Sequence, residues 1–230
     1  MSAAANLTVV ICHGSYHTPA PYMLLVQALK AHGIDAYCPQ RPSCDLSKLN
    51  IVVVQLLGRL VNEDGKLVLL AAYSSGGWVA TEAALPALHT TSRRATGKPG
   101  GVIGIFCFGA FVIPVGESVS SFFKPKDGTS VTPPWVEFHK SGLGTITNGP
   151  RFLFNDMDEA SAQTLPCAYL VLEYDQMLPN EYQEGMVVLQ SKKSGRPFTV
   201  YSDPTSHSPH FSWTDGLVER LEDFAGKIST

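Results

Sequence analysis

The run Leu67-Val68-Leu69-Leu70-Ala71-Ala72-Tyr73-Ser74-Ser75-Gly76-Gly77, followed by Trp78-Val79-Ala80, joins an apolar segment to a helical one through a serine-bearing turn. Six successive apolar residues predict a strand buried on both faces. The small-x-Ser-x-Gly pattern that ends it is the sequence form of a nucleophile elbow, which holds a serine hydroxyl at a tight strand-to-helix turn. So tight a turn demands small residues two before and two after the serine, because strand and helix backbones nearly touch. Ala72 and Gly76 fill those places around Ser74. Ser75 competes, but would put the bulky Tyr73 two residues ahead of itself. The helix that follows turns its positive dipole end toward the site. The plain alternative is a βα turn capped by a serine.

Outward from this turn the same rhythm repeats. Apolar runs at residues 7–12, 34–38, 67–72, 101–108, 168–173 and 198–201 alternate with segments of helical periodicity at 21–32, 45–62, 78–89, 179–192 and 211–227. Strand and helix in alternation predict an α/β fold: a mostly parallel, doubly wound sheet of about six strands, helices on both faces. No linker divides residues 1–230, so a single domain is expected. Residues 111–166 break the rhythm. They are rich in Pro, Gly, Ser and aromatics such as Phe122, Trp135 and Phe152, as a cap or lid over an apolar pocket would be; the plain alternative is that the aromatics pack the insertion onto the core.

A nucleophilic serine needs a base. Only His207 and His210 follow the last strand run, and His207 sits in the loop ahead of the final helix, free to reach back over the sheet edge. His210 stands nearer the helix start and reads as a capping or surface residue. The acid that orients the base should leave the strand run at 168–173; Asp175 does, with Glu173 as runner-up and Asp203 third. The resulting order, Ser, then acid, then His, is the one this kind of elbow requires. His13-Gly14-Ser15-Tyr16-His17 follows the first strand run, and backbone N–H groups of Ser15 and Ser75 are expected to converge on a substrate oxyanion. His13 is expected to shape the loop through Gly14. His17 either faces the pocket or is a satisfied loop histidine.

Composition narrows the partners. The chain has 44% hydrophobic and 16% charged residues and a formal net charge of −3, which offers no basic field for nucleic acid or anionic lipid. No apolar stretch is long enough to span a membrane. Five cysteines without Cys-x-x-Cys spacing suggest neither a zinc site nor a disulfide framework, and with no leader pattern at the start a cytoplasmic location is expected. No cofactor or metal is called for.

Taken together, His13-Gly14-Ser15-Tyr16-His17, the Ser74 elbow, Asp175-x-x-x-Pro179 and His207-Ser208-Pro209 resemble the short α/β-hydrolases of the fungal His-Gly-[Ser/Ala]-x-His type, and the plant methyl esterases and hydroxynitrile lyases related to them. The resemblance covers residues 7–227 and implies the α/β-hydrolase fold, a Ser74–His207–Asp175 triad, and a pocket roofed by 111–166. The chain departs from its relatives in four ways. Tyr73 stands where a His commonly precedes the nucleophile, and Ala72 replaces Gly. Ser208 stands where the hydroxynitrile lyases carry Lys. The segments 44–67 and 155–167 are short, so the cap is reduced, which implies an open pocket or one completed by a second subunit in a homodimer. Two activities then compete. One is hydrolysis of an ester, lactone or thioester of a small hydrophobic molecule through an acyl-enzyme. The other is cofactor-independent lyase, cyclase, dehydratase or isomerase chemistry of secondary, polyketide-type metabolism, with the same side chains moving protons. A non-catalytic ligand-binding protein is a third reading.

Overall fold

The computed structural model describes residues 6–15, 17–41, 50–114, 136–138, 143–146, 151–153 and 165–228. Six strands form one sheet: β1 (Leu7–Cys12), β2 (Asp35–Tyr37), β3 (Leu67–Tyr73), β4 (Gly101–Phe108), β8 (Cys167–Leu172) and β9 (Thr199–Asp203), the gap in numbering being filled by three short strands described below. Their order across the sheet is β2-β1-β3-β4-β8-β9, every pair parallel. The doubly wound architecture expected from the alternating runs is therefore present.

Burial follows position in the sheet. Central β1 and β4 are buried at every residue, as a parallel sheet covered on both faces requires, whereas edge strands β2 and β9 alternate. Helices α1 (Met23–Ala31) and α7 (Thr214–Ile228) cover one face. Their Leu25, Leu29, Leu217, Leu221 and Phe224 pack on Val9, Ile11, Leu69, Phe106 and Leu170. Helices α2 (Ile51–Asn62) and α3 (Gly76–Ala83) cover the other, setting Val53, Leu57, Val79 and Ala83 against Val10, Leu70, Ile105 and Val171. Successive residues of a strand point to opposite faces, as the pairs Val9/Val10 and Leu69/Leu70 show. Helix α5 (Asn180–Ser194) connects β8 to β9.

Two of the helical segments are divided differently from expectation. The segment expected at 78–89 starts two residues earlier and stops at Ala83, because Pro86 forces Leu85 into an extended conformation (ψ 136°). A further short helix, α4 (Thr90–Ala95), follows. The helix expected at 211–227 is two: α6 (Pro209–Ser212) and α7, interrupted at Trp213 with φ −149° and ψ 42°. The Trp213 ring lies over Gly216, where a Cβ would sit 2.0 Å from Cε2.

A separate antiparallel sheet of β5 (Val136–Phe138), β6 (Leu143–Ile146) and β7 (Arg151–Leu153) falls within the cap segment expected at 111–166. The remainder of that segment beyond residue 114 and up to residue 164, like residues 42–49 and Tyr16, lies outside the described residues. Among the described residues no helix is long and apolar enough to cross a membrane.

The winding sets where a ligand can bind. From β1 the chain passes to β2 on one side and then to β3 on the other, so the topological switch point lies between β1 and β3. In open α/β sheets the crevice outside the carboxyl ends of two such strands is the binding site. Here those ends are Cys12-His13-Gly14 and Tyr73-Ser74.

Candidate active site

Ser74 stands between β3 and α3 with φ +50°, and among the described residues it is the one non-glycine residue at positive φ. An L-residue held there costs roughly 1–2 kcal/mol, and such strain concentrates at functional turns. Hydrogen bonds fix the turn: the Ser74 carbonyl accepts the N–H groups of Gly77 at 3.1 Å and Phe111 at 3.0 Å. The glycines behind it are required by contact. A Cβ on Gly76 would lie 1.8 Å from the Cys12 carbonyl oxygen, and one on Gly77 would lie 2.0 Å from that of Phe111.

Asp175 and His207 are brought together from loops after β8 and β9. Backbone bonds from Glu173 to Asp203 and from Tyr174 to Thr205 carry the strand pairing into the loops. His207 Nδ1–H then donates to Asp175 Oδ2 at 2.6 Å. The other carboxylate oxygen accepts the N–H groups of Met177 and Leu178, each at 2.8 Å. The Asp175 side chain is fully buried and that of His207 is 20% exposed, so the ring joins a fixed carboxylate to the open side. The bond to Asp175 leaves Nε2 as the free ring nitrogen. Among the described residues no hydrogen bond links Ser74 Oγ to His207, a contact that unliganded sites often leave long and close on substrate. The other acid candidates are elsewhere. Glu173 accepts the Ser202 hydroxyl at 2.8 Å, and Asp203 pairs with Arg220 at 2.9 and 3.0 Å.

The loop after β1 packs on the elbow. A Cβ on Gly14 would lie 3.0 Å from the Tyr73 ring and 3.2 Å from Ser74 Cβ, so a larger residue there would have to push its neighbours back by a few tenths of an ångström. The Gly14 N–H donates to Tyr22 Oη at 3.0 Å and is thereby engaged. Among the described residues the N–H groups of Ser15 and Ser75 have no hydrogen-bond acceptor. Tyr22, its phenol kept protonated by burial, donates in turn to His17 Nδ1 at 2.7 Å. Burial, and then the neighbouring His207 and Arg41, lower the His17 pKa, and with Nδ1 accepting from Tyr22 the proton of the neutral ring belongs on Nε2.

His210 overturns its expected place at the surface. It is fully buried, stacked on Tyr22 at 4.4 Å and edge-on to Tyr73 at 4.8 Å, with neither ring nitrogen hydrogen-bonded. Burial pushes its pKa down to about 3. His13 is also buried. Its Nδ1 meets the Gly14 carbonyl at 2.9 Å, and desolvation and the Arg41 guanidinium lower its pKa to about 4. Arg41, itself buried, donates to the His13 carbonyl.

Three residues escaped the sequence reading. Gly109, at φ +51°, abuts the Asp175–His207 hydrogen bond: a Cβ there would lie 3.3 Å from Asp175 Oδ2 and 3.4 Å from His207 Nδ1. Gln183, fully buried on α5, bonds both the N–H and the carbonyl of Leu172 and the carbonyl of Leu178, clamping the two ends of the Asp175 loop. Arg41 is the third. A glycine directly after a strand is a usable signal; nothing local marks the other two.

A parallel α/β sheet with a strained serine at its switch point and an Asp–His pair on its last two loops defines a class, the α/β-hydrolase fold. The alpha/beta hydrolase family profile matches residues 9–220, and the chain belongs to that family. No curated protein matches it by sequence. Among solved structures it is similar to a pyrethroid hydrolase from Sphingobium faniae JZ-2, with 21% identity over 96% of this chain and 97% of that one and a TM-score of 0.72. It is also similar to a methylesterase protein from Arabidopsis, with 18% identity, 96% and 99% coverage and a TM-score of 0.62. Polyneuridine aldehyde esterase matches at 11% identity, 96% and 99% coverage and a TM-score of 0.69.

Proposed function

We propose that the chain is a serine hydrolase acting on an ester, lactone or thioester of a small hydrophobic molecule. Ser74 Oγ attacks the carbonyl carbon while His207 Nε2 takes its proton. The backbone N–H groups of Ser15 and Ser75 receive the oxyanion, each contributing about 3 kcal/mol to the transition state. His207 then protonates the leaving group, and water, activated by the same imidazole, hydrolyses the acyl-enzyme. Asp175 fixes the tautomer and stabilises the imidazolium that forms.

The observation that carries the reading is the strained Ser74, followed along the chain by an Asp175–His207 pair at 2.6 Å. The similar structures named for ester cleavage favour hydrolysis over lyase or isomerase chemistry on the same scaffold. The apolar character of the substrate rests on the aromatic content of residues 111–166. A fluorophosphonate probe tests the reading. Stoichiometric labelling of the wild type, lost in Ser74→Ala and slowed by orders of magnitude in His207→Ala, is expected. Turnover that survives Ser74→Ala and is lost in His207→Ala contradicts it.

A further inference from the structure

Tyr73, where similar proteins commonly carry His, and Ser208, where the hydroxynitrile lyases carry Lys, meet in the folded chain: Tyr73 Oη lies 3.2 Å from Ser208 Oγ. The first precedes the elbow serine and the second follows the loop histidine. We propose that Tyr73 is a positioning residue for His207, its ring backing the imidazole and its hydroxyl latching the base loop to the nucleophile elbow through Ser208. The inference rests on reading Ser74 and His207 as nucleophile and base.

The bond to Asp175 fixes one point of the His207 ring and leaves it free to swing about that point. Nε2 must nevertheless be aimed at Ser74, since small errors of aim cost large factors in rate. The Tyr73 ring centroid lies 5.0 Å from that of His207, a supporting contact against the ring. Tyr73 cannot give way. It is 2% exposed, stacked on Phe108 at 5.4 Å and on His17 at 5.8 Å, edge-on to His210, and pressed by Gly14. Its hydroxyl is therefore a fixed point, and burial keeps the phenol protonated by moving its pKa up to about 12. Ser208 is bonded to that point and is one peptide from His207, so the latch holds the base loop at the elbow.

Two readouts on Tyr73→Phe, Ser208→Ala and the double variant test the latch. The first is the rate of fluorophosphonate labelling at Ser74. We expect a fall of about tenfold in each single variant and no further fall in the double, because both remove one link. The thermal midpoint of Tyr73→Phe should stay close to wild type, since Phe keeps every ring contact. The second readout is the low-field imidazole proton expected from the short His207–Asp175 bond, whose exchange with solvent should quicken about tenfold in the same variants. Labelling and exchange rates within twofold of wild type overturn the latch. A wild type that never labels overturns the serine reading instead, and the proton exchange then still decides whether Tyr73 positions His207.

Discussion

Gly109 shows how much the site depends on the absence of a single atom. Its backbone is left-handed, and a methyl group there would stand 2.7 Å from Leu172 Cδ1 as well as against the Asp175–His207 bond. Gly109→Ala therefore adds about 1 kcal/mol of backbone strain and must also displace the acid or the base. The expected outcome is a labelling rate at Ser74 at least tenfold lower, with a modest drop in melting temperature; an unchanged rate would show that the pair tolerates a wall it does not now touch. The same dependence on space was half visible beforehand. Small residues were demanded at 72 and 76 by the turn itself, and Gly76 is confirmed as a contact with the Cys12 carbonyl. The demand at Gly109 comes from loops more than sixty residues further on and could not be read locally.

Elements carried the legible part of the fold. Continuous apolar runs marked the central strands, because burial on both faces removes any need for polar alternation. The positions of Ser74, Asp175 and His207 in loops after β3, β8 and β9 were legible for a related reason, since the winding sets where those loops fall. What could not be read are contacts made across elements. Trp213 interrupts a helical period that continues on both sides of it, and the partnership of Tyr22 with Gly14 and His17 depends on where α1 docks. Gln183 belongs with these. It looks like one more polar residue on a helix, yet it satisfies three buried backbone groups at the end of β8 and in the Asp175 loop. Gln183→Leu leaves those groups unpaired and should cost about 2–4 kcal/mol, read as a lower urea midpoint together with slower labelling. A loss of stability alone, with labelling intact, would confine Gln183 to a structural part.

For the molecule as a whole, the winding gathers His13, His17, His207 and His210 at one end of the sheet, and burial lowers the pKa of His13, His17 and His210. The unfolded chain binds protons at these imidazoles from about pH 6.5 downward, whereas folded His210 resists until about pH 3 and His13 until about pH 4. Stability is thus fully present above pH 6.5 and is lost as the pH falls through that window, by up to about 1.4 kcal/mol per pH unit for each such histidine. His210→Phe, which fills the same aromatic stack without a titrating group, should recover about 2 kcal/mol at pH 5 relative to its effect at pH 8; equal effects at both pH values would contradict the assignment. The winding also makes the switch point between β1 and β3 the place where Ser74 and the loop after β1 meet, and the central claim is that Ser74 is the nucleophile there. Mixing the protein with a chromogenic p-nitrophenyl ester, quenching in acid and mapping the adduct by peptide mass tests this most directly. The account predicts a burst of one equivalent of nitrophenol with the acyl group on Ser74; hydrolysis with no adduct, or an adduct on Ser75, would contradict it.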